Sequence, residues 1–336
     1  MLNWAIIGCG DVVQRLVQDS LFVRNKSNVM YVVSDNLKDA KNYGKKQNIK
    51  HILSNSKKNL SLILKDQNIN SIYIATPPNS HFFYIDFFCK KKINIVCEKP
   101  LVTNKKQFSN LKNLIKKYRC NLFTCFYRRH LERFLYVKKV LEKKELGKII
   151  YFDIKFFHNF NNHPTHNIVK GKPVPWRFVK KISGGGNVVD MGVHAIDLIE
   201  FMIGKIKKVN IYKTNRMNLY NVEDISIINF KLENRILGQS SWCSVSNKKV
   251  DQFSIYGSKG SIHFSMNLGY DEKIKIIKNE KIYIKKIRMK QPLHKNMFND
   301  FIKQLISNNK KNIYEIKKNG LSNSKLIDLI SNNSLD

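Results

Sequence analysis

The sequence predicts a two-domain α/β protein. It has a parallel sheet over residues 1–125, followed over residues 126–336 by an α+β domain with an open, mostly antiparallel sheet. Two observations predict this division. The first part alternates continuous apolar runs with helix-length amphipathic segments, which is typical of a parallel sheet covered on both faces. In the second part the strand-like runs lie close together and often alternate, which is typical of antiparallel hairpins.

Five apolar runs in the first part are predicted to be strands, and the amphipathic segments between them to be helices. The runs lie at 4–8, 29–33, 71–75, 93–97 and 121–125, and the segments at 11–22, 37–48, 57–68, 79–91 and 104–119. The second part begins with a helix near 131–144 and ends with a helical portion over about 294–332. Its strand-like runs lie at 148–157, 205–212, 224–232, 235–242, 252–257 and 260–264. No run approaches the ~20 apolar residues that span a bilayer, so we expect no membrane segment.

The net charge of +35 comes from 60 basic residues, of which only ten are Arg. The lysines are scattered over the whole chain, whereas dedicated nucleic-acid sites more often cluster Arg with aromatic residues. We therefore expect solvated lysine surfaces and no specific nucleic-acid partner. The six cysteines form no CxxC pair, and the start MLNWAIIGCG predicts a first strand, not a signal peptide. Both observations favour buried thiols in a reducing cytoplasm.

A glycine turn, "IIGCGDVV", follows the first strand and opens the first helix. Gly8 permits a tight turn, and Gly10 lets the backbone approach a pyrophosphate at the helix N-terminus. Val13 stands where a third small residue is usual, so the fingerprint is incomplete, and glycine turns also end strands for structural reasons. The position after the first strand of a βαβ pattern nevertheless predicts a dinucleotide-binding Rossmann domain. The expected cofactor contacts of this turn are Gly8, Gly10, Asp11 and Val12.

The end of the second strand, "VVSDN", bears on the choice of cofactor. The carboxylate of Asp35 would bind both hydroxyls of an adenosine ribose and repel a 2′-phosphate, which favours NAD. Ser34 would instead leave room for the 2′-phosphate of NADP. Asp35 has a structural alternative as the N-cap of the helix that begins near Leu37. The expected cofactor is NAD or NADP, with NAD favoured.

Two further strand ends carry polar turns, "IATPPNSHF" (74–82) and "INIVCEKPL" (93–101). Ligands of Rossmann domains lie at the carboxyl ends of the strands, so we expect cofactor contacts in both turns. The candidates are Thr76, Pro77, His81, Glu98 and Lys99. The structural alternatives are an ordinary strand-to-helix turn for the first and a surface ion pair for the second.

The stretch "GGGNVVDMGVHAID", residues 184–197, carries Asp190 four residues before His194. On a helix that has already begun, both side chains lie on one face. A histidine with an ordinary pKa near ~6.5 can exchange the proton of a hydroxyl group around neutral pH. Lys99 could hydrogen-bond the same oxygen and stabilise alkoxide charge. The alternatives are a hinge for Gly184–Gly186 and a structural role for His194.

The order GCG, ATPPxxH, CEKPL, Tyr-Arg-Arg, Trp-Arg and GGGxxxDxGxHxxD resembles the glucose–fructose oxidoreductase, myo-inositol dehydrogenase and MocA (Gfo/Idh/MocA) family. The resemblance implies an NAD(P)-dependent oxidoreductase that acts on a CH–OH group of a sugar, polyol or sugar derivative. It assigns Lys99, Asp190 and His194 to catalysis and to the substrate. It also places Trp176 and Arg177 at the cofactor and implies a homodimer or homotetramer assembled through the open sheet.

Some alternatives remain open beside the resemblance. Tyr127 and Arg128 either bind the substrate or belong to a crossover helix with solvated arginines. A catalytically silent, cofactor-binding regulatory protein could use the same fold. Three histidines, His158, His163 and His166, lie close together in a polar loop without nearby acidic or Cys partners, so we expect no metal site there.

Overall fold

The computed structural model describes residues 1–91, 93–159, 173–266 and 273–307. The chain forms two compact units. The first combines Met1–Tyr127 with the segment that begins at Lys290, and the second runs from Arg128 to Met289. The domain boundaries expected from the sequence place the segment from Lys290 in the second domain, whereas in the structure it groups with the first unit.

The first unit contains a six-stranded parallel sheet in the order β3-β2-β1-β4-β5-β6. This is the strand order of a dinucleotide-binding Rossmann fold, so the predicted fold class of this part is confirmed. The strands are β1 (Leu2–Ile7), β2 (Ser27–Ser34), β3 (His51–Ser54), β4 (Ser71–Ile74), β5 (Asn94–Cys97) and β6 (Asn121–Thr124). The helices are α1 (Leu37–Lys46), α2 (Lys57–Lys65), α3 (Pro78–Cys89) and α4 (Lys105–Tyr118).

Short polar side chains set the start of three of these helices. The side chains of Asn36, Ser56 and Asn104 accept hydrogen bonds from backbone N–H groups in the first turns of α1, α2 and α4. The first helical element is shorter than the amphipathic segment that predicts it. Within the segment 11–22 a π-helix spans Val13–Val17, and Gln18 ends it at a φ of 47°. Three β-branched valines at positions 12, 13 and 17 have low helix propensity, which accounts for the short element.

The last described helix, α8 (Lys295–Ser307), packs into the core of the first unit. Phe298 meets Trp4 and Tyr73 edge-on, with ring centroids 6.2 Å and 5.2 Å apart. Phe301 lies against Phe123 at 5.3 Å. These buried aromatic contacts explain why the chain returns to its N-terminal unit.

The second unit contains an eight-stranded sheet in the order β14-β13-β12-β11-β7-β10-β9-β8, in which only the β7–β10 pair is parallel. This confirms the predicted mostly antiparallel sheet. Its strands are β7 (Ile149–Asn159), β8 (Ile206–Thr214), β9 (Ile225–Leu232), β10 (Leu237–Cys243), β11 (Val245–Gly257), β12 (Gly260–Phe264), β13 (Lys273–Lys278) and β14 (Lys281–Lys286). Its α-helices are α5 (Glu132–Glu142), α6 (Lys180–Ser183) and α7 (Val193–Met202).

Shorter helical elements precede the functional segments of the second part. A 3-10 turn spans Tyr127–His130, a second one Trp176–Phe178, and a π-helix Val188–Gly192 leads directly into α7. Helix α7 is buried over most of its surface, because seven of its ten residues are apolar. An apolar helix of this kind has to pack against a core, and it therefore presents its polar residues at fixed positions.

Candidate active site

The glycine turn after β1 separates the roles of its two glycines. Gly8 has a φ of +91°, and a Cβ atom there would lie 2.8 Å from the backbone carbonyl of Ala75. Its N–H donates to the carbonyl oxygen of Val33 at 2.7 Å. Gly10, by contrast, is exposed, and a Cβ atom there would meet nothing within 4 Å. Gly8 therefore lets the ends of β1 and β4 meet, while the open space above Gly10 fits the pyrophosphate of a dinucleotide.

Asp11 and Val12 begin the helical segment that follows this turn. The side chain of Asp11 is bound by the guanidinium group of Arg15, with 2.6 Å between Arg15 Nη2 and Asp11 Oδ2. Their backbone N–H groups belong to the first turn of a helix, where donors have no acceptor within the helix. A cofactor contact at these two positions would therefore come from the backbone.

At the end of β2 the structure removes one alternative for Asp35. The side chain that caps α1 is Asn36, whose Oδ1 accepts hydrogen bonds from the N–H groups of Lys38 and Asp39 at 3.1 Å and 3.2 Å. Asp35 is exposed, whereas Ser34 is buried and accepts a hydrogen bond from the N–H of Asn36. The exposed carboxylate at this strand end is the group that would meet a ribose.

His81 joins the two polar turns that follow β4 and β5. Its Nε2 lies 2.8 Å from the carbonyl oxygen of Thr76, and its Nδ1 lies 2.7 Å from that of Pro100. The ring is fully buried, and this burial lowers the pKa of His81. The sequence predicts a cofactor contact here, but both ring nitrogens are occupied by backbone carbonyls. His81 therefore holds the two turns together.

The turn after β4 is also stabilised by hydrogen bonds of its own. Ser80 Oγ donates to Thr76 Oγ1 at 2.7 Å and to the carbonyl oxygen of Pro77 at 2.8 Å. Thr76 and Pro77 remain at the carboxyl end of β4, at the edge of the sheet where the sequence predicts cofactor contacts.

Glu98 lies inside the first unit and not on its surface. Tyr73 Oη donates to Glu98 Oε1 at 2.9 Å, and burial raises the pKa of Glu98, opposed by this hydrogen bond and by nearby Lys99. The sequence allows either a hydrogen bond to a ribose or a surface ion pair. The surface ion pair is wrong, because the carboxylate is buried among groups of its own unit, whereas the hydrogen bond to a ribose stays a prediction. Lys99, the next residue, is half-buried at the end of β5.

In the second unit, Asp190 lies within the π-helix Val188–Gly192, and His194 is the second residue of α7. Asp190 is half-buried and His194 is buried. The helix has therefore begun before Asp190, as the expectation of a shared face requires, but its first turn is π-helical. Such turns are rare and occur frequently at functional sites.

Arg177 is a neighbour of Asp190 that the sequence assigns to the cofactor. Its Nε lies 3.7 Å from Asp190 Oδ2, and its guanidinium carbon lies 4.3 Å from the centre of the Trp176 ring. The stacked Trp176–Arg177 pair therefore adds a positive charge and an aromatic face beside Asp190. Within the second unit these three residues form one polar surface with a carboxylate and a fork of N–H donors.

The glycine run Gly184–Gly186 is explained by Glu223, a residue that the sequence reasoning missed. The N–H of Gly186 donates to Glu223 Oε1 at 2.9 Å, and a Cβ atom on Gly186 would overlap the backbone carbonyl oxygen of Glu223. Burial raises the pKa of Glu223, opposed by the hydrogen bond from Gly186, and burial lowers the pKa of its neighbour Lys213. The run is therefore packed against a buried carboxylate, which explains the glycines better than a hinge does.

Asn187 is a second residue missed by sequence reasoning. It follows the glycine run directly and is buried, and its Nδ2 has no hydrogen-bond partner among the residues that the structure describes. A buried amide donor with no acceptor is uncommon in native proteins. No sequence pattern distinguishes it from the many other asparagines of this chain.

The Tyr-Arg-Arg segment forms a short 3-10 turn and not a crossover helix with solvated arginines. Arg128 is buried, and its Nη1 donates to the carbonyl oxygen of Met266, while substrate binding by Tyr127 and Arg128 stays a prediction. Arg129 donates through Nε to both carboxylate oxygens of Asp197, at 2.7 Å and 2.8 Å. Asp197, on α7, thereby anchors the helix that carries His194. Tyr127 is buried in the first unit, with its ring 4.5 Å from that of His294.

The described residues contain no group of three or more His, Cys, Asp and Glu side chains placed to hold a metal ion. His163 and His166, on which the metal alternative depends, lie outside the described residues, whereas His158 is in β7. Within the described part of the chain, no helix is long and apolar enough to cross a membrane.

A Rossmann unit with an open glycine turn, joined to a unit with a large, mostly antiparallel sheet, defines the class of two-domain NAD-binding oxidoreductases. Two family profiles agree with this class. One, described as an oxidoreductase family with an NAD-binding Rossmann fold, matches residues 2–126. The other, the GFO/IDH/MocA C-terminal domain, matches residues 134–263. The chain belongs to the Gfo/Idh/MocA family of oxidoreductases.

Individual relatives are distant. An oxidoreductase from Formosa agariphila is 28% identical over 280 residues, which cover 83% of this chain and 83% of the relative. The aldose–aldose oxidoreductase from Caulobacter crescentus, solved with glycerol, superposes with a TM-score of 0.82 at 17% identity and covers 98% of this chain and 96% of its own. A levoglucosan dehydrogenase solved with NADH superposes with a TM-score of 0.77 at 18% identity and covers 98% of this chain and 95% of its own. The two solved structures show the same fold.

Proposed function

We propose that this oxidoreductase transfers a hydride between NAD(H) or NADP(H) and a hydroxyl or ketone group of a sugar, polyol or sugar derivative. The observation that carries the proposal is the carboxyl edge of the Rossmann sheet. There the space above Gly10 is open, and Lys99 is the second residue after β5. The levoglucosan dehydrogenase and the aldose–aldose oxidoreductase among its structural neighbours support a sugar-type substrate.

The chemistry divides into hydride and proton transfer. A bound nicotinamide accepts or donates the hydride at its ring. In the proposal, His194 takes the proton of the reacting hydroxyl during oxidation, because an imidazole can hold or release a proton near neutral pH. Lys99 donates a hydrogen bond to the reacting oxygen and stabilises its negative charge. Asp190, with Arg177 beside it, binds a substrate hydroxyl or orients the imidazole.

The proposal has a two-stage test. Thermal shift with NAD(H) and NADP(H) measures binding, and absorbance of the reduced nicotinamide then measures turnover on aldoses, levoglucosan, inositols and UDP-sugars. We expect Lys99→Ala and His194→Ala to lose about 100-fold or more in kcat, the usual range for a general acid–base group. Lys106→Ala, on the exposed surface of α4, is the matched control and should leave kcat unchanged.

Two results would contradict the proposal. Cofactor binding without turnover of any of these substrates by the wild type would favour a regulatory protein. No stabilisation by either cofactor would remove the cofactor site itself. A double-mutant cycle tests whether Lys99 and His194 act on one oxygen, because residues that share one reacting group give non-additive losses.

We propose that NAD is preferred over NADP. The exposed carboxylate of Asp35, which is not used as a helix cap, supports this choice because it would repel a 2′-phosphate. Titration of the fluorescence of NADH and NADPH compares the two affinities directly.

We also propose that two chains assemble through the open face of the eight-stranded sheet. Tyr212, Ile227 and Leu237 lie on this face of neighbouring strands and are 58%, 44% and 54% exposed. Exposed apolar groups in one patch are typical of an interaction surface. Light scattering should give a dimer or tetramer for the wild type and a smaller species for Ile227→Lys, and a monomeric wild type would refute the assembly.

A further inference from the structure

His294 lies in the interior of the first unit, at a position that the function described above does not use. Only 1% of its surface is exposed. Its backbone N–H donates to the carbonyl oxygen of Leu16 at 3.0 Å, at the helical segment behind the glycine turn. Its ring lies 4.5 Å from that of Tyr127 and 6.3 Å from that of Phe298. Both its backbone and its ring are therefore held in place.

The imidazole faces the buried carboxylate that precedes Lys99. Nδ1 of His294 lies 3.6 Å from Glu98 Oε1, the oxygen that already accepts a hydrogen bond from Tyr73. This distance exceeds that of an N–H···O hydrogen bond, about 2.7–3.2 Å, by a few tenths of an ångström. Among the residues that the structure describes, neither ring nitrogen of His294 has a hydrogen-bond partner. Buried polar atoms in this state are costly and call for a partner.

The charge state of the ring decides which partners fit. Burial, assisted by the nearby positive charge of Lys99, lowers the pKa of His294 to about 3, so the ring is neutral at pH 7. A neutral imidazole has one N–H donor and one acceptor nitrogen. Glu98 Oε1 already accepts a hydrogen bond from Tyr73, and the tautomer with the proton on Nδ1 directs a second donor at the same oxygen. Nε2 is then an acceptor, and the described residues provide no donor for it.

We propose that His294 is a positioning residue: its Nδ1–H holds the carboxylate of Glu98 beside the turn that carries Lys99, and its Nε2 accepts a hydrogen bond from a buried water. Buried waters typically bind polar groups of this kind. The lysine is thereby kept next to a carboxylate of fixed orientation. The part of this inference that concerns turnover rests on the proposed function, whereas the tautomer and the water do not.

Three variants separate positioning from packing. His294→Phe keeps an aromatic ring against Tyr127 but removes both nitrogens. His294→Asn retains an N–H donor near the place of Nδ1, and His294→Gln places its polar group near Nε2. We expect the Phe variant to lose about tenfold in kcat, the value of one buried hydrogen bond, with KM and NADH affinity little changed. The Asn variant should recover most of this loss and the Gln variant should not. A Phe variant with wild-type kcat would show that the ring only packs.

A measurement without turnover tests the same inference. In ¹⁵N-histidine NMR spectra of the full chain, the signal that is absent from His294→Phe should show the Nδ1–H tautomer at pH 7. An Nε2–H tautomer or an imidazolium ion would overturn the proposal, and the imidazole signal absent from His294→Asn gives the same assignment if the Phe variant fails to fold. Should the wild type turn over no substrate, the proposed function fails, while the tautomer still decides the role of His294. A crystal structure at high resolution should show the water at Nε2, and a dry, apolar surrounding there would contradict it.

Discussion

Alanine at Gly8 and alanine at Gly10 should have opposite effects, although the two glycines are one residue apart. A Cβ atom at Gly8 would lie 2.8 Å from backbone atoms of Ala75 and 2.9 Å from the side chain of Thr76, at a φ of +91°. A Cβ atom at Gly10 would meet nothing within 4 Å, and Gly10 is not among the glycines with positive φ. Gly8 therefore serves the fold, whereas the proposed function assigns Gly10 to the cofactor.

The magnitudes follow from these contacts. For Gly8→Ala, a left-handed backbone costs a residue with a Cβ atom about 1–2 kcal/mol, and overpacking against a rigid backbone adds about 1–3 kcal/mol. The free energy of unfolding should therefore fall by roughly 2–5 kcal/mol. Gly10→Ala introduces neither a left-handed backbone strain nor overpacking. Its free energy of unfolding should therefore stay the same or rise by up to about 1 kcal/mol, because alanine restricts the unfolded chain. The affinity for NADH should nevertheless fall by about tenfold or more, since the new methyl group takes the place of the pyrophosphate.

Urea denaturation of the protein without cofactor measures the first effect, and titration of NADH fluorescence measures the second. Gly10→Ala is the control for the stability measurement, and Gly8→Ala is the control for the binding measurement. The reasoning fails if Gly10→Ala binds NADH like the wild type, since the space above Gly10 would then not hold the cofactor. It also fails if Gly8→Ala is as stable as the wild type.

Three further predictions concern other parts of the two units. Asp35→Ser should raise the affinity for NADPH relative to NADH by about tenfold in fluorescence titration, because it removes a charge that repels the 2′-phosphate; an unchanged ratio would place the ribose elsewhere. Gly186→Ala should lower the free energy of unfolding by about 1–3 kcal/mol, because its methyl group overlaps the carbonyl of Glu223; an unchanged denaturation midpoint would contradict that contact. His294 has a pKa of about 3 in the folded chain, below that of an unfolded histidine, so the proton prefers the unfolded state and stability falls as pH drops below about 6.5. Between pH 7 and pH 5 this loss should be about 2 kcal/mol more in the wild type than in His294→Phe, and equal losses in both proteins would refute it.

The local pattern of apolar residues was sufficient to predict most strands of the Rossmann unit. Continuous apolar runs are long enough to mark β1, β2, β4, β5 and β6, because strands buried on both faces need apolar residues at successive positions. The edge strand β3 has only four residues and none is buried, so its pattern does not differ from that of a loop. Strands β13 and β14 are lysine-rich, and β14 is an edge strand whose six residues are all exposed, so burial demands little of its sequence.

The roles of individual side chains were less predictable, because they depend on partners far along the chain. Arg128 follows the last Rossmann strand, yet its guanidinium group binds the carbonyl of Met266, 138 positions away. His81 carries a motif position, but both its nitrogens hold backbone carbonyls. A motif places such residues near a site without saying which way they point. The direction of a buried polar side chain is set by whichever donor or acceptor the fold brings beside it.

The two glycine segments show the same dependence on distant partners. In the sequence, Gly184–Gly186 and the turn at Gly8–Gly10 have the same pattern, small residues before a helix that carries candidate site residues. In the structure, the space beside Gly186 is filled by Glu223, while the space above Gly10 is open. Both glycine segments lead into a π-helical turn, Val13–Val17 and Val188–Gly192. A buried carboxylate at the start of the second helix occupies the position that an anionic ligand would take at the first. We therefore expect the helix start of the first unit to bind the cofactor, whereas in the second unit a buried carboxylate holds the backbone just before Asp190 and His194.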